Sequence, residues 1–241
     1  MARIFTKSVF TVGLLIMLLS VPAFGATINK SIKIAAGTES GGATSVNGGI
    51  TVGENAVVTG GVKTVNGSIR VDAGASIENA STVNGVVSVA NNVHAQNLTT
   101  INGAIKVGES ATIDGEIVAV NGKISVAAGS TVANDVSNVN GLINLSGAEI
   151  GGDVSTVSGD INVLDGAVVK GNLMVEKPSN WGWGKSKSRK PRVVIGPGSS
   201  VEGVIDLERE VELFISDTAK VGGVKGVMSM DDAVRFSGDH P

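Results

Sequence analysis

Val46-Asn47-Gly48 returns six times down the chain, as Val65-Asn66-Gly67, Val83-Asn84-Gly85, Ile101-Asn102-Gly103, Val120-Asn121-Gly122, Val139-Asn140-Gly141 and Val157-Ser158-Gly159. The glycines stand 19, 18, 18, 19, 19 and 18 residues apart. A period that short holds no helical hairpin with its turns, so helical repeat arrays are poor candidates. It suits one turn of a parallel β-solenoid, in which each coil buries its apolar side chains only against the coils above and below.

Working outward from the phrase, each glycine is followed one residue on by two aliphatics that flank a third residue. Ile50/Val52, Ile69/Val71, Val87/Val89, Ile105/Val107, Ile124/Val126, Ile143/Leu145 and Ile161/Val163 flank Thr51, Arg70, Ser88, Lys106, Ser125, Asn144 and Asn162. Period-two alternation predicts a strand with one buried face. A second short strand is expected about six residues later, as in Ala75-Ser76-Ile77, and a third leads back into the phrase, as in Ser81-Thr82-Val83. Turn residues such as Asp72-Ala73-Gly74 and Ala127-Ala128-Gly129 lie between them. The expected fold is therefore all-β: a triangular parallel β-helix of about ten coils of 18–19 residues, a rod of about 50 Å. Right-handed winding is the expectation, although the six-residue spacing of Val65, Val71, Ile77 and Val83 leaves the hand open.

Asn-Gly is expected to make a tight corner, because both residues tolerate left-handed backbone. Stacked coils would bring Asn47, Asn66, Asn84, Asn102, Asn121 and Asn140 into a structural amide ladder. Solvated turn amides are the alternative.

The organisation around the coils is also legible. Residues 1–25 read as a cleaved signal peptide: Arg3 and Lys7, then an apolar run from Val9 to Val21, then Pro22-Ala23-Phe24-Gly25. Residues 26–175 are read as coils, 176–192 as an inserted loop, 193–226 as terminal coils and 227–241 as a polar tail. Removing Arg3 and Lys7 leaves 17 basic against 22 acidic residues, a formal charge of −5, which gives no reason to expect nucleic acid as a partner. The chain has no cysteine, so neither a disulfide nor a lipid-modified cysteine enters the account. Export to the periplasm or cell surface is the expected localisation.

On the coil period, the paired aliphatics and segments such as Ile195-Gly196-Pro197-Gly198-Ser199-Ser200-Val201-Glu202-Gly203-Val204, residues 28–225 resemble the bactofilin family of bacterial polymer-forming proteins. That resemblance implies a compact triangular β-helix that assembles end to end. Thr64-Val65-Asn66-Gly67-Ser68-Ile69 and Thr156-Val157-Ser158-Gly159-Asp160-Ile161 are similar to phrases in a family of adhesin-like β-solenoids, which implies the same architecture. The chain departs from bactofilins in its signal-like start and its insertion.

Catalytic chemistry has little to stand on. The histidines are His94, aligned with the outward Ser76, and His240 near the end, and neither neighbours another His or a Cys. Asp72, Glu78, Glu109, Asp114, Glu116, Asp160 and Asp165 scatter over different columns, whereas a repeat-encoded calcium site would align them. No catalytic residue, metal or cofactor is expected. The distinctive surface is the insertion: Trp181 and Trp183 beside Lys185, Lys187, Arg189, Lys190 and Arg192, bracketed by Pro178 and Pro191. Aromatics beside cations suit an anionic glycan, a membrane surface or a protein partner. Asp206, Glu208, Glu210, Glu212 and Asp217 gather in the last coils, where charge, together with the polar segment from Ser229 to Pro241, would cap the stack. The reading is a non-enzymatic scaffold of the bacterial cell envelope that self-associates end to end, with a loop-presenting adhesin as the alternative.

Overall fold

The structure, a computed structural model, describes residues 29–178, 189–239 and 241. It is a β-solenoid of about ten turns. Each coil carries three short strands, and every strand pairs in parallel with its counterpart in the next coil. On the first face eleven strands follow one another from Ile32–Ile34 to Val234–Phe236. Its register joins Ile50 to Ile69 and Val52 to Val71, then Ile69 to Val87 and Val71 to Val89. The second face holds two-residue strands such as Val57–Val58 and Thr112–Ile113. The third holds longer ones such as Val62–Asn66 and Ile117–Asn121. At Ser76–Asn84 and His94–Asn102 one strand runs through the corner and serves both the second and third faces.

The core is a bundle of columns along the axis. Ile50, Ile69, Ile105, Ile124, Ile143 and Ile161 are almost wholly buried, as are Val52, Val71, Val126 and Val163 beside them. The strands that carry them alternate buried and open residues, which is why the period-two pattern locates the inside.

The corner between the first and second faces holds the left-handed residues. Positive φ recurs there at Gly37, Asn55, Gly74, Asn92, Ser110, Gly129, Gly147, Asp165 with Gly166, and Gly198, over nine successive coils. From Asn55 onward the residue that follows the corner is packed inside and is most often alanine, as at Ala56, Ala75, Ala111, Ala148 and Ala167.

Two expectations change. Outside glycine, positive φ among the described residues occurs at Asn29, Asn55, Asn92, Ser110 and Asp165, so the repeated phrase does not turn on a left-handed asparagine. Its glycine answers to close approach, and at Gly103 and Gly141 to positive φ as well. A Cβ on Gly67, Gly85, Gly103, Gly122, Gly141 or Gly159 would collide with the carbonyl oxygen of the equivalent glycine one coil earlier. The C-terminal segment, read from the sequence as a polar tail and as a cap on the last coil, folds across the coil end. Met230–Asp232 form a 3-10 turn whose Ser229 cap bonds Asp232, and Val234–Phe236 add a strand against Phe214–Ser216. Met228, Met230 and Ala233 pack on the last core residues, so apolar contact draws the segment across the coil end.

Candidate functional site

The corner between the third and first faces carries the repeated phrase, and each of its positions has a separate task. In Val62–Asn66 the alternation buries Val62 and Thr64 and leaves Lys63 and Val65 on the outer side. The inward hydroxyl is used: Thr64 donates to the Gly48 carbonyl at 2.8 Å, Thr82 to Gly67 at 2.8 Å and Thr100 to Gly85 at 3.2 Å. Ser45 does the same to Lys30 at 2.9 Å. Further along, Asn138 takes the place of the threonine, and Thr156 donates to its Oδ1 at 2.6 Å.

The aliphatic residue of the phrase therefore faces out. Asparagine follows, exposed, and its side chains form a continuous amide ladder. Asn47 Nδ2 donates to Asn29 Oδ1 at 2.6 Å, Asn66 to Asn47 and Asn84 to Asn66 at 2.8 Å, and Asn102 to Asn84 at 3.0 Å. Asn121 and Asn140 extend it at 3.1 and 3.0 Å. Each amide donates in one direction along the axis and accepts from the other, a geometry in which every rung polarises the next. Ser158 takes the next position in the phrase, and among the described residues no Asn-to-Asn bond continues this column beyond Asn140.

A second polar column runs along the corner between the second and third faces. Asn97 Nδ2 donates to Asn79 Oδ1 at 2.8 Å, and Asn97 Oδ1 accepts the Glu116 amide at 2.9 Å. Asp135 Oδ1 accepts the Asp153 amide, Asp153 Oδ1 the Asn172 amide and Asn172 Oδ1 the Val204 amide, at 2.8, 2.8 and 3.0 Å. Glu116, Asp135 and Asp153 thus sit one above another, so the acidic residues are less scattered than the sequence suggests. Burial, and then the neighbouring Asp135 charge, push the Glu116 carboxyl up. Two of these three carboxylates spend an oxygen on backbone N–H groups, and no group of three metal-ligating side chains is found among the described residues.

The insertion leaves the rod at the same corner as the asparagine ladder, between Leu173–Val175 and Arg192–Ile195. Trp181, Trp183, Lys185 and Lys187 lie outside the described residues. The stems on either side are fastened to the solenoid. The Lys177 amide donates to Glu208 Oε2 at 3.0 Å. Arg189 bonds both oxygens of Asp160 at 2.8 and 2.9 Å, and the Arg192 amide donates to the same carboxylate at 2.8 Å. Lys190 pairs with Glu210 at 2.7 Å, which raises the lysine and lowers the glutamate from their ordinary values. Arg209 reaches the carbonyls of Val157 and Arg189 at 3.3 and 3.4 Å. The Arg192 guanidinium stands 4.7 Å above the centre of the Phe214 ring.

Arg189, Lys190 and Arg192 therefore engage the rod. The acidic group of the last coils gains a different role from the expected cap. Glu208 and Glu210 hold the loop's stems, and Asp206 pairs with Lys225 at 3.0 Å on the neighbouring coil.

His94 stacks over Ser76 and lies 2.8 Å from Asp114 Oδ2, with both side chains half exposed. His240 lies outside the described residues. No family model, curated protein or solved structure matches the chain. No helix among the described residues is long and apolar enough to cross a membrane.

Threonines facing inward and aliphatics facing outward were missed at the level of sequence. The signal was present: Thr64, Thr82 and Thr100 stand two residues before the asparagine in consecutive copies.

Proposed function

We propose that this protein is a non-enzymatic scaffold rod of the bacterial cell envelope that joins end to end through its N-terminal coil. One observation carries the reading. The strands Ile32–Ile34, Glu39–Ser40 and Ala43–Ser45 each pair with the following coil only, so among the described residues the N-terminal coil presents a strand edge on all three faces. Unpaired edges template further strands. The other end is built differently. Its last strand sets Arg235 over the core residue Ile215, and a charge on an inward column opposes continued stacking. The polar side chains placed on the corners serve coil-to-coil bonds, which fits a structural role.

Lys33→Pro tests the reading. The Ile32 amide already bonds Gly49, and alternation turns the Lys33 N–H toward the open side. Proline there removes that donor without breaking an existing rung. The mature wild-type chain is expected to form end-to-end pairs of rods in sedimentation and electron micrographs, and Lys33→Pro to remain single rods with an unchanged melting temperature. Identical assembly by both proteins would overturn it.

A second reading is a module that presents the Trp181/Trp183 loop to an envelope glycan, membrane surface or protein. The pinning of both stems favours it, because a fixed base restricts where an insertion can project. Replacing residues 179–188 by a short glycine-serine link and measuring binding to envelope fractions distinguishes this reading from the first.

A further inference from the structure

The two ends of the rod match each other. At the N-terminal end Ile32, Ser40 and Ala43 stand in the inward columns of the three faces, paired with Ile50, Val58 and Val62 of the next coil. At the C-terminal end Leu213, Val221 and Val224 hold those columns, paired with Val193, Val201 and Ile205 of the coil before. Both end sets are spaced by eight and then three residues. Val193, Val201 and Ile205 are spaced by eight and four, so the agreement is not automatic. Carrying the rod's own parallel step from the C-terminal end of one copy to the N-terminal end of another sets Ile32 and Ile34 over Leu213 and Ile215. On the second face the same step sets Glu39 over Lys220, an acid over a base. At the ladder corner it sets Asn29, whose Oδ1 already accepts from Asn47, over Glu210, a carboxylate beneath an amide donor.

The C-terminal segment stands in the way of that step. Val234–Phe236 takes the place on the first face that Ile32–Ile34 would take, and it puts Arg235 over Ile215 where Ile34 would lie. The segment closes this one face. Among the described residues, Lys220–Val221 and Val224–Gly226 pair only with the coil before them, so the second and third faces keep open edges. The closure is also light. Met228, Met230, Ala233 and Phe236 are half-buried, and no described residue from 227 to 239 is fully buried. A coil that pairs on all three faces and covers Leu213 and Ile215 with isoleucine outcompetes a strand that pairs on one and covers them with arginine.

We infer that the C-terminal coil end is a docking surface for the N-terminal coil of a second copy, and that residues 228–239 hold it shut. Docking of this kind rests on the adhesive N-terminal edge proposed above, but not on the pairing of that edge with itself. Met228→Asp with Met230→Asp, in the full mature chain, sets two carboxylates against the apolar coil end and is expected to release the segment, as faster tryptic cleavage after Arg235 would report. Adding Lys33→Pro gives a chain with an open C-terminal end and a blocked N-terminal edge. Immobilised, that chain is expected to bind the wild type, and to bind Lys33→Pro about tenfold more weakly or less. A glycine-serine sequence of equal length in place of residues 228–239 repeats the test should the charged variant fail to fold or to release the segment. No binding of the wild type, or equal binding of the wild type and Lys33→Pro, overturns the proposal. Binding by a wild type that forms no pairs on its own upholds it and removes the pairing of N-terminal edges. Wild-type pairs without binding to the opened chain do the reverse.

Discussion

The Thr82 hydroxyl lies 2.8 Å from the carbonyl oxygen of Gly67, a bond that ties the inside of one coil to the corner of the coil before it. Thr82 is 3% exposed, so water cannot replace this bond. Thr82→Val keeps the shape and deletes the donor. It is expected to destabilise the rod by about 1–2 kcal/mol in chemical denaturation, with Thr82→Ser retaining most of that stability.

Two glycines separate crowding from backbone conformation. A Cβ on Gly122 would overlap the Gly103 carbonyl, and that oxygen is fixed in the adjacent coil. Gly122→Ala must push neighbouring coils apart and is expected to cost about 3 kcal/mol or more. Gly37 has φ of +66°, but nothing lies within 4 Å of the place a Cβ would take, so Gly37→Ala is expected to cost only about 1–2 kcal/mol. Melting curves of the two variants check the order.

Two serines on one small-residue column should respond in opposite directions. Ser130 Oγ donates to the Gly108 carbonyl at 2.7 Å and accepts the Ala111 amide at 3.0 Å. Ser199 Oγ is equally buried and has no hydrogen-bond partner. Ser130→Ala is expected to destabilise by about 1–2 kcal/mol, whereas Ser199→Ala is expected to stabilise by up to about 1 kcal/mol. Denaturant midpoints of the two alanine variants give the comparison.

Glu116 makes stability depend on pH. Its carboxyl is raised, first by burial and then by Asp135, so the fold favours the protonated form. The resulting contribution is fully present below the ordinary glutamate value and is lost as pH rises through the raised one. Glu116→Gln is neutral throughout. It is expected to match the wild type in acid and to exceed it in stability at pH 7, as melting temperatures across that range would show.

Asp160 binds the Arg189 side chain and the Arg192 amide together. Exposed ion pairs contribute little to global stability, so Asp160→Asn should leave the melting temperature nearly unchanged. Faster tryptic cleavage after Arg189 is the expected difference, with sites on the coils protected as before and the Lys190-Pro191 bond resistant in both.

The solenoid was legible because its inward residues are aliphatic in every copy. Ile69 and Val71 recur in kind at each coil, and burial tolerates little else there. The sides of the repeated phrase were not legible from residue type. Val65 resembles a core residue and Thr64 a surface one, yet a hydroxyl directed at a corner carbonyl belongs inside, which sends its neighbour out. The second corner column was hidden because its residue type changes from Asn97 through Glu116, Asp135 and Asp153 to Asn172, while all of these but Glu116 accept the amide of the next coil. Pairings such as Arg189 with Asp160 and Lys190 with Glu210 span 29 and 20 residues, and only the stacked coils bring them together.

Val154 pairs with Leu173 across an ordinary coil, whereas Leu173 pairs with Ile205 across the insertion. Because closure entropy grows only with the logarithm of length, bridging the longer interval costs about 0.5 kcal/mol more. That corner is therefore a mounting point, where foreign segments can be exchanged at small energetic expense while the shaft beneath keeps its pitch.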